Sequence, residues 1–222
     1  MLDIKQIKND KEVTAIMEIS EQQIEALGFT EHSTRHSSIV SKWSGEILRQ
    51  VGKSEREIKL VEIAGYLHDI GNAVSRVDHA MSGALLSYKI LTRMGMDYYD
   101  AADIMMAIGN HDELTGLPVS NISAALIIAD KADVHKSRVR KNIIVPPIEQ
   151  NIHDRVNLAA ESSHIIIDEE SKEIRLEIVI DTTKSSVMDY FEIYFKRMQL
   201  SRRAAEFLGR TFSLVINSVK LL

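Results

Sequence analysis

The stretch GYLHDIGNAVSRVDHA, Gly65 to Ala80, ends an apolar helical pattern on His68 and Asp69 and then supplies His79. Imidazoles and carboxylates are tolerated inside a fold only when hydrogen-bonded, paired or bound to a metal. The same residue types recur on the apolar stripes of other helices. His36 lines up with Val40, Trp43, Ile47 and Val51, His68 with Val61 and Ala64, and His79 with Gly83, Leu86 and Ile90. His111 follows Ile104, Ala107 and Ile108, while Asp130 follows Ile122 and Leu126. Place on the stripe separates a core-facing side chain from a solvated one. Five helices therefore direct four histidines and two aspartates toward one interior. A lone inward histidine is ordinarily a hydrogen-bonded core residue, but the joint pattern, without Arg or Lys partners on those stripes, points to metal ligation.

The chain has no cysteine, so a metal must sit on nitrogen and oxygen donors. Six such groups exceed the three or four protein ligands of one zinc ion. They suit two ions about 3.5 to 4 Å apart, bridged by a carboxylate. Iron is the first choice, with manganese, zinc, cobalt, nickel or magnesium as further options and copper(I) disfavoured. Two cations acidify bound water and so generate a hydroxide nucleophile, which makes a serine or cysteine nucleophile unnecessary. DKADVHKSRVRK adds a run of positive groups that could hold an anionic substrate such as phosphate, Lys131, Lys136, Arg138, Arg140 and Lys141. Arginine engages phosphate in bidentate fashion, although a basic helix end also suits the helix dipole. Lys131 and Arg138 are the leading candidates.

The elements that must position these groups follow a three-to-four residue period up to about residue 140. It predicts helices near 10–27, 34–51, 55–69, 78–94, 98–110 and 121–135. Ser54 with Glu57 reads as a capping box, Asp78, Asp97 and Ser120 as N-caps, and Gly28, Gly52, Gly71 and Gly95 as helix ends. NIIVPPIEQNIHD, with Pro146 and Pro147, reads as a connector. Beyond it SHIIID and KEIRLEIVID form a hairpin across the turn EESK, a long helix covers 185–208, and TFSLVINSVKLL returns as a strand. The expected fold is mostly α: a helical metal-binding body (1–141), a connector (142–153) and a small α+β appendage (154–222) of antiparallel strands plus one long helix.

The 222 residues carry 45% hydrophobic and 27% charged side chains, which suits a globular chain rather than a disordered one. A net charge of −5 argues against a general nucleic-acid binder. No run of about 18 apolar residues and no leader pattern appear, so a cytoplasmic protein without a membrane partner is expected. The long helix, with Glu192, Lys196, Arg197 and Arg203 on its polar face, reads as core or homodimer interface. His32 is a weaker alternative to His36. His135, His153 and His164 read as structural or exposed, Asp133 as either a ligand-orienting group or a surface carboxylate, and Met105 and Met106 as core filler.

The ordered set of His36, LHDIGN, His79, His111 and IIADKAD resembles the HD-domain superfamily of metal-dependent phosphohydrolases, in its dinuclear subgroup. The resemblance spans about 30–140 and implies an HD helical bundle. It implies that His36, His68, Asp69 and Asp130 hold one metal, that Asp69 bridges to a second held by His79 and His111, and that metal-activated water attacks phosphorus. NHDELTGLPVSNISAALIIADKAD is similar to the corresponding stretch of bacterial HD-type diadenosine tetraphosphate hydrolases. Asn72 stands where the cyclic-dinucleotide phosphodiesterases of the superfamily carry Lys, and Asp78 precedes His79 where they carry a histidine pair, which disfavours that substrate. The expected protein is a phosphohydrolase acting on a phosphate ester or anhydride, a small nucleotide or nucleotide-like compound, with Asp69, Lys131 and Arg138 as catalytic groups and Asn72, Lys131, Arg138 and Arg140 as substrate contacts. The superfamily also includes mixed-valence di-iron oxygenases with the same ligands. A regulatory metal-binding module without turnover is the third reading.

Overall fold

Eleven consecutive buried residues, Ile122 to Ala132, run through the middle of the molecule on one helix. A helix apolar on all sides has to be enclosed by other elements, and the rest of the body is arranged around it. The computed structural model describes residues 2–29, 34–139 and 152–221. Among these the helices are α1 (Ile4–Lys8), α2 (Lys11–Ala26), α3 (Thr34–Gln50), α4 (Glu55–Leu67), α5 (His79–Arg93), α6 (Tyr98–Gly109), α7 (Asn121–Ala132), α8 (Ile152–Ala159) and α9 (Val187–Phe207). The strands are β1 (Ala160–Asp168), β2 (Glu173–Ile180), β3 (Thr211–Ile216) and β4 (Val219–Lys220). The buried helix is α7, and α3, α4, α6 and α9 all pack against it.

Cap chemistry accounts for most helix starts. Ser54 and Glu57 form the expected capping box of α4, Asp97 caps α6, and Ser120 pairs with Ser123 at α7. Two expectations are corrected. Asp78 precedes α5 in a left-handed conformation (φ 58°) and its carboxylate makes no cap bond. Gly71 is not a helix-ending glycine. It lies inside a 3-10 turn, Ile70–Ala73, where a Cβ would overlap the His79 carbonyl oxygen and the Gly83 nitrogen. A Cβ on Gly83 would lie 3.1 Å from the Gly71 nitrogen, so this glycine pair lets the turn touch the start of α5.

The helix α7 also stops at Ala132, before the expected 135, because Asp133 leaves helical geometry (ψ 80°) and its carboxylate turns to His36 and Arg35. A 3-10 turn, Lys136–Arg138, follows. The short α1 was not anticipated, since five residues are too few to display a period. Nor was α8, which begins within the expected connector; Pro146 and Pro147 lie outside the described residues.

The sheet has the order β1-β2-β3-β4. β1 and β2 form the expected hairpin, with Ile165 opposite Leu176 and Ile167 opposite Ile174. The all-antiparallel expectation fails at the next pair: β2 and β3 run parallel, joined by a crossover that contains α9, as parallel neighbours require. The last segment divides into two antiparallel strands at Asn217 and Ser218, both with positive φ. Tyr190 and Tyr194 of α9 stack with ring centroids 4.9 Å apart, and the helix packs on α7. The C-terminal unit is therefore docked on the helical body. Among the described residues no helix is long and apolar enough to cross a membrane.

The Gly71 contact generates a stability prediction. Gly71→Ala should cost about 1–3 kcal/mol or more by overpacking, whereas Leu85→Ala, at an exposed position of α5, should stay within about 0.5 kcal/mol of wild type. Denaturant titration of both variants checks this, and equal midpoints would contradict the close approach.

Candidate metal centre

Each of the six inward groups arrives by its own route. His36 lies on the first turn of α3, His68 is the residue after α4, Asp69 leads into the 3-10 turn, His79 opens α5, His111 follows α6, and Asp130 sits on the last turn of α7. All six are buried. Asp69 stands at φ −96°, ψ 3°, in the sparsely populated bridge region where many active-site residues are found. Its carbonyl oxygen accepts hydrogen bonds from the Ser20 hydroxyl (3.3 Å) and from the backbone and side-chain nitrogens of Asn72 (3.0 Å each), which holds the turn in place.

The structure brings these groups together. Asp69 Oδ2 lies 3.3 Å from His68 Nε2 and 3.8 Å from His36 Nε2, and its Oδ1 lies 3.4 Å from His79 Nε2 and 3.9 Å from His111 Nε2. Asp130 Oδ1 lies 3.4 Å from His36 Nε2 and 3.6 Å from His68 Nε2. The rings meet edge to face, with centroids 5.0–5.1 Å apart along the series His36, His68, His111, His79.

The other ring nitrogen is engaged in every case. Nδ1 of His68, His79 and His111 bonds to the carbonyl oxygens of Gly65 (2.9 Å), Arg76 (3.2 Å) and Ile108 (2.6 Å), and His36 Nδ1 bonds to Asp133 Oδ2 (2.7 Å). A carbonyl can only accept, so Nδ1 carries a proton, and whenever the ring is neutral Nε2 offers its lone pair to the centre. This is the arrangement of metal-ligating histidines, whose second nitrogen is oriented by a carbonyl or carboxylate. The buried His68 Nε2 has no hydrogen-bond partner among the described residues. Two triplets, His36 with His68 and Asp130, and His68 with Asp69 and His111, each offer ligand atoms within 4.8 Å of one another. The donor set fits a divalent cation on all these counts.

Electrostatics divide the histidines. Burial disfavours the charged form of His68, but Asp69 and then Asp130 outweigh it and push its pKa up to about 10. His111 is driven the other way, to about 3, by burial and by the positive charges of His68 and Lys131. Burial also lowers His79. Asp130 is held well below the carboxylate range despite its burial, chiefly by Lys131 and then by His36 and His68.

The sequence-derived substrate contacts take different places. Lys131 is buried between Asp130 Oδ2 and Glu113 Oε2, 2.7 Å from each. Arg138 is buried, donates to the Asp133 carbonyl oxygen (2.8 Å), and lines a narrow cleft with Asp69, His111, Asp130 and Lys131. Asn72 is fully buried; besides holding the Asp69 carbonyl it accepts from Arg76 (3.3 Å), so its polar atoms face the chain. Arg140 and His32 lie outside the described residues. His135 caps the second 3-10 turn, accepting from Ser137 N (3.1 Å), while His153 and His164 are exposed. Met105 packs on the core and Met106 is exposed.

Three groups escaped the sequence reading. Glu113 and Asp112 follow His111 directly, and that acidic pair was the available signal. Glu113 joins Lys131 to Arg197, and Asp112 Oδ2 lies 4.0 Å from His79 Nε2. Arg197 stands three residues beyond Tyr194, and that spacing was its available signal. Expected on the polar face of the long helix, it instead turns inward and lines the same cleft, because α9 lies across α7. A second, wider cleft of about 300 Å³ adjoins the first, shares Arg76, His79, Asp112 and Glu113 with it, and adds the exposed apolar Val77, Met81 and Leu114.

The family model described as HD domain matches residues 33–136, the span that carries all six groups. An uncharacterized protein of Methanocaldococcus jannaschii is 24% identical over 219 residues, covering 88% of this chain and 82% of its own. The crystal structure of a predicted HD superfamily hydrolase from an uncultured Thermotogales bacterium aligns with 25% identity and a TM-score of 0.45, covering 60% of this chain and 75% of that one. The span that matches the HD-domain model, residues 33–136, coincides with the span on which the histidines and aspartates converge.

Proposed function

We propose that the protein is a metal-dependent phosphohydrolase that cleaves a phosphate ester or anhydride of a nucleotide or nucleotide-like compound at a centre for two ions. One observation carries this reading: the two oxygens of Asp69 face different histidine pairs, Oδ2 toward His36 and His68 and Oδ1 toward His79 and His111. On this reading His36, His68, Asp69 and Asp130 hold one ion, and Asp69, His79 and His111 hold the other. Bound divalent cations supply an acidified water and neutralise charge developing on phosphorus-bound oxygens.

The chain's own groups do the remaining work. The four tethered Nδ1 atoms fix the ring orientations and keep each Nε2 lone pair directed inward. Lys131 has three donors and uses two on Asp130 and Glu113, which leaves one for a phosphate oxygen. Arg138 lines the cleft beside it. A cleft lined by Lys131, Arg138 and Arg197 favours an anionic substrate over dioxygen, and the adjoining cleft with Val77, Met81 and Leu114 suits the organic part of an ester. The division into a body (1–141) and an appendage (154–222) belongs to the same proposal: the body carries the donors and the appendage covers them.

Elemental analysis of protein purified without added metal, followed by phosphate release from a panel of nucleotides and phosphate esters under anaerobic conditions, tests the reading. Two ions per chain and oxygen-independent turnover are expected. Turnover only with oxygen would favour an oxygenase, and bound metal without turnover across the panel would favour a regulatory module.

The bridging role has its own test. Asp69→Ala should lose both ions and all activity, and retention of two ions would refute the bridge. Arg138→Ala should keep the metal and raise KM about tenfold, the worth of about 1.4 kcal/mol and within the range of one charge-assisted hydrogen bond.

A further inference from the structure

We propose that Arg197, delivered by the C-terminal helix α9, is a phosphate-binding residue of the centre, and that Glu113 is the positioning residue that sets its distance from Lys131. The inference rests on the anionic-substrate reading above and gives the appendage a part in the site.

The geometry is specific. Arg197 lines the same cleft as Asp69, His111, Asp130, Lys131 and Arg138, although it lies outside the matched family span of 33–136. Its Nε donates to Glu113 Oε1 at 3.0 Å, and among the described residues this is its one hydrogen bond. The two terminal nitrogens remain as a donor pair, the edge with which a guanidinium grips two oxygens of one phosphate. The plane of the group is fixed from behind, because its central carbon lies 4.8 Å from the Tyr194 ring centroid. Tyr194 is itself held, stacked on Tyr190 and bonded through its hydroxyl to Asn157 (3.2 Å).

Glu113 links the two cations. Oε1 takes Arg197 and Oε2 takes Lys131 at 2.7 Å, so one carboxylate spaces two positive groups. Those two cations against one carboxylate leave a positive charge over. Asp130, which also pairs with Lys131, compensates it only while Asp130 is not neutralised by a cation of its own. Metal loading at Asp130 therefore leaves the Lys131–Glu113–Arg197 group net positive beside the ions, where a phosphate anion is the complementary partner.

The test uses the full-length, metal-loaded protein with inorganic phosphate as the probe, its affinity measured by titration calorimetry. Arg197→Gln should bind phosphate about tenfold to a hundredfold more weakly than wild type, the loss of a charge-assisted pair, with unchanged metal content. Arg197→Lys, which keeps the charge but not the fork, should recover part of that loss. Arg202→Gln, on the exposed side of the same helix and paired with Glu206, should match wild type. Wild-type phosphate affinity in Arg197→Gln would overturn the inference. Loss of metal in that variant would overturn it as well, because Arg197 would then be a buttress of the Glu113–Lys131–Asp130 chain. Phosphate binding is read without turnover, so an Arg197-dependent affinity in a protein that hydrolyses nothing would sink the hydrolase reading alone, and hydrolysis unaffected by Arg197→Gln would sink this inference alone.

Discussion

Two carboxylates, Asp69 and Asp130, are buried in one cluster, and most of the structure answers that constraint. Each ionised carboxylate in a low-dielectric interior requires countercharge or a full set of donors, and two close together require both. The fold supplies Lys131 at 2.7 Å from Asp130 and four imidazole edges within 4 Å of the two acids. A cation answers the same demand more completely than a proton on His68 does, since it accepts several of these lone pairs at once. The full burial of α7 follows as well, because Asp130 reaches the centre only on a helix enclosed on every side.

Close backbone approach is the second requirement. Asp69 and His79 belong to consecutive elements that must fold back on one another within ten residues. The Gly71–Gly83 contact makes that return tight enough for Asp69 Oδ1 to come within 3.4 Å of His79 Nε2. Neither glycine touches the ligand atoms; both set the distance between the elements that carry them.

These two demands explain what was legible in the sequence. His36, His68, His79, His111 and Asp130 stood out because each interrupts an apolar stripe, and a stripe names the direction of the side chain without any knowledge of its neighbours. Gly71 was visible but misread, since the local pattern of a glycine after a helix is the same whether it supplies positive φ or room for another backbone. The early end of α7 was illegible for a related reason. Asp133 leaves the helix to bond His36, 97 positions away in sequence, and no window of neighbouring residues contains that partner. Glu113 and Asp112 carried a signal in their acidic sequence beside His111, and Arg197 a weaker one in its spacing from Tyr194, which its charge masked.

Arg197 shows how topology decides chemistry. Had β3 followed β2 as an antiparallel hairpin, two to five residues would have joined them and nothing would have crossed the body. The parallel pairing of β2 with β3 demands a long return, and the 21 residues of α9 make that return across α7. The helix then buries Tyr190, Tyr194, Met198 and Ala205. Arg197, three residues beyond Tyr194, shares that face by the helical period and so points inward with them. Its charge has to be met there, and Glu113 beside His111 meets it. The strand order of a peripheral sheet thus determines which cation stands beside the centre.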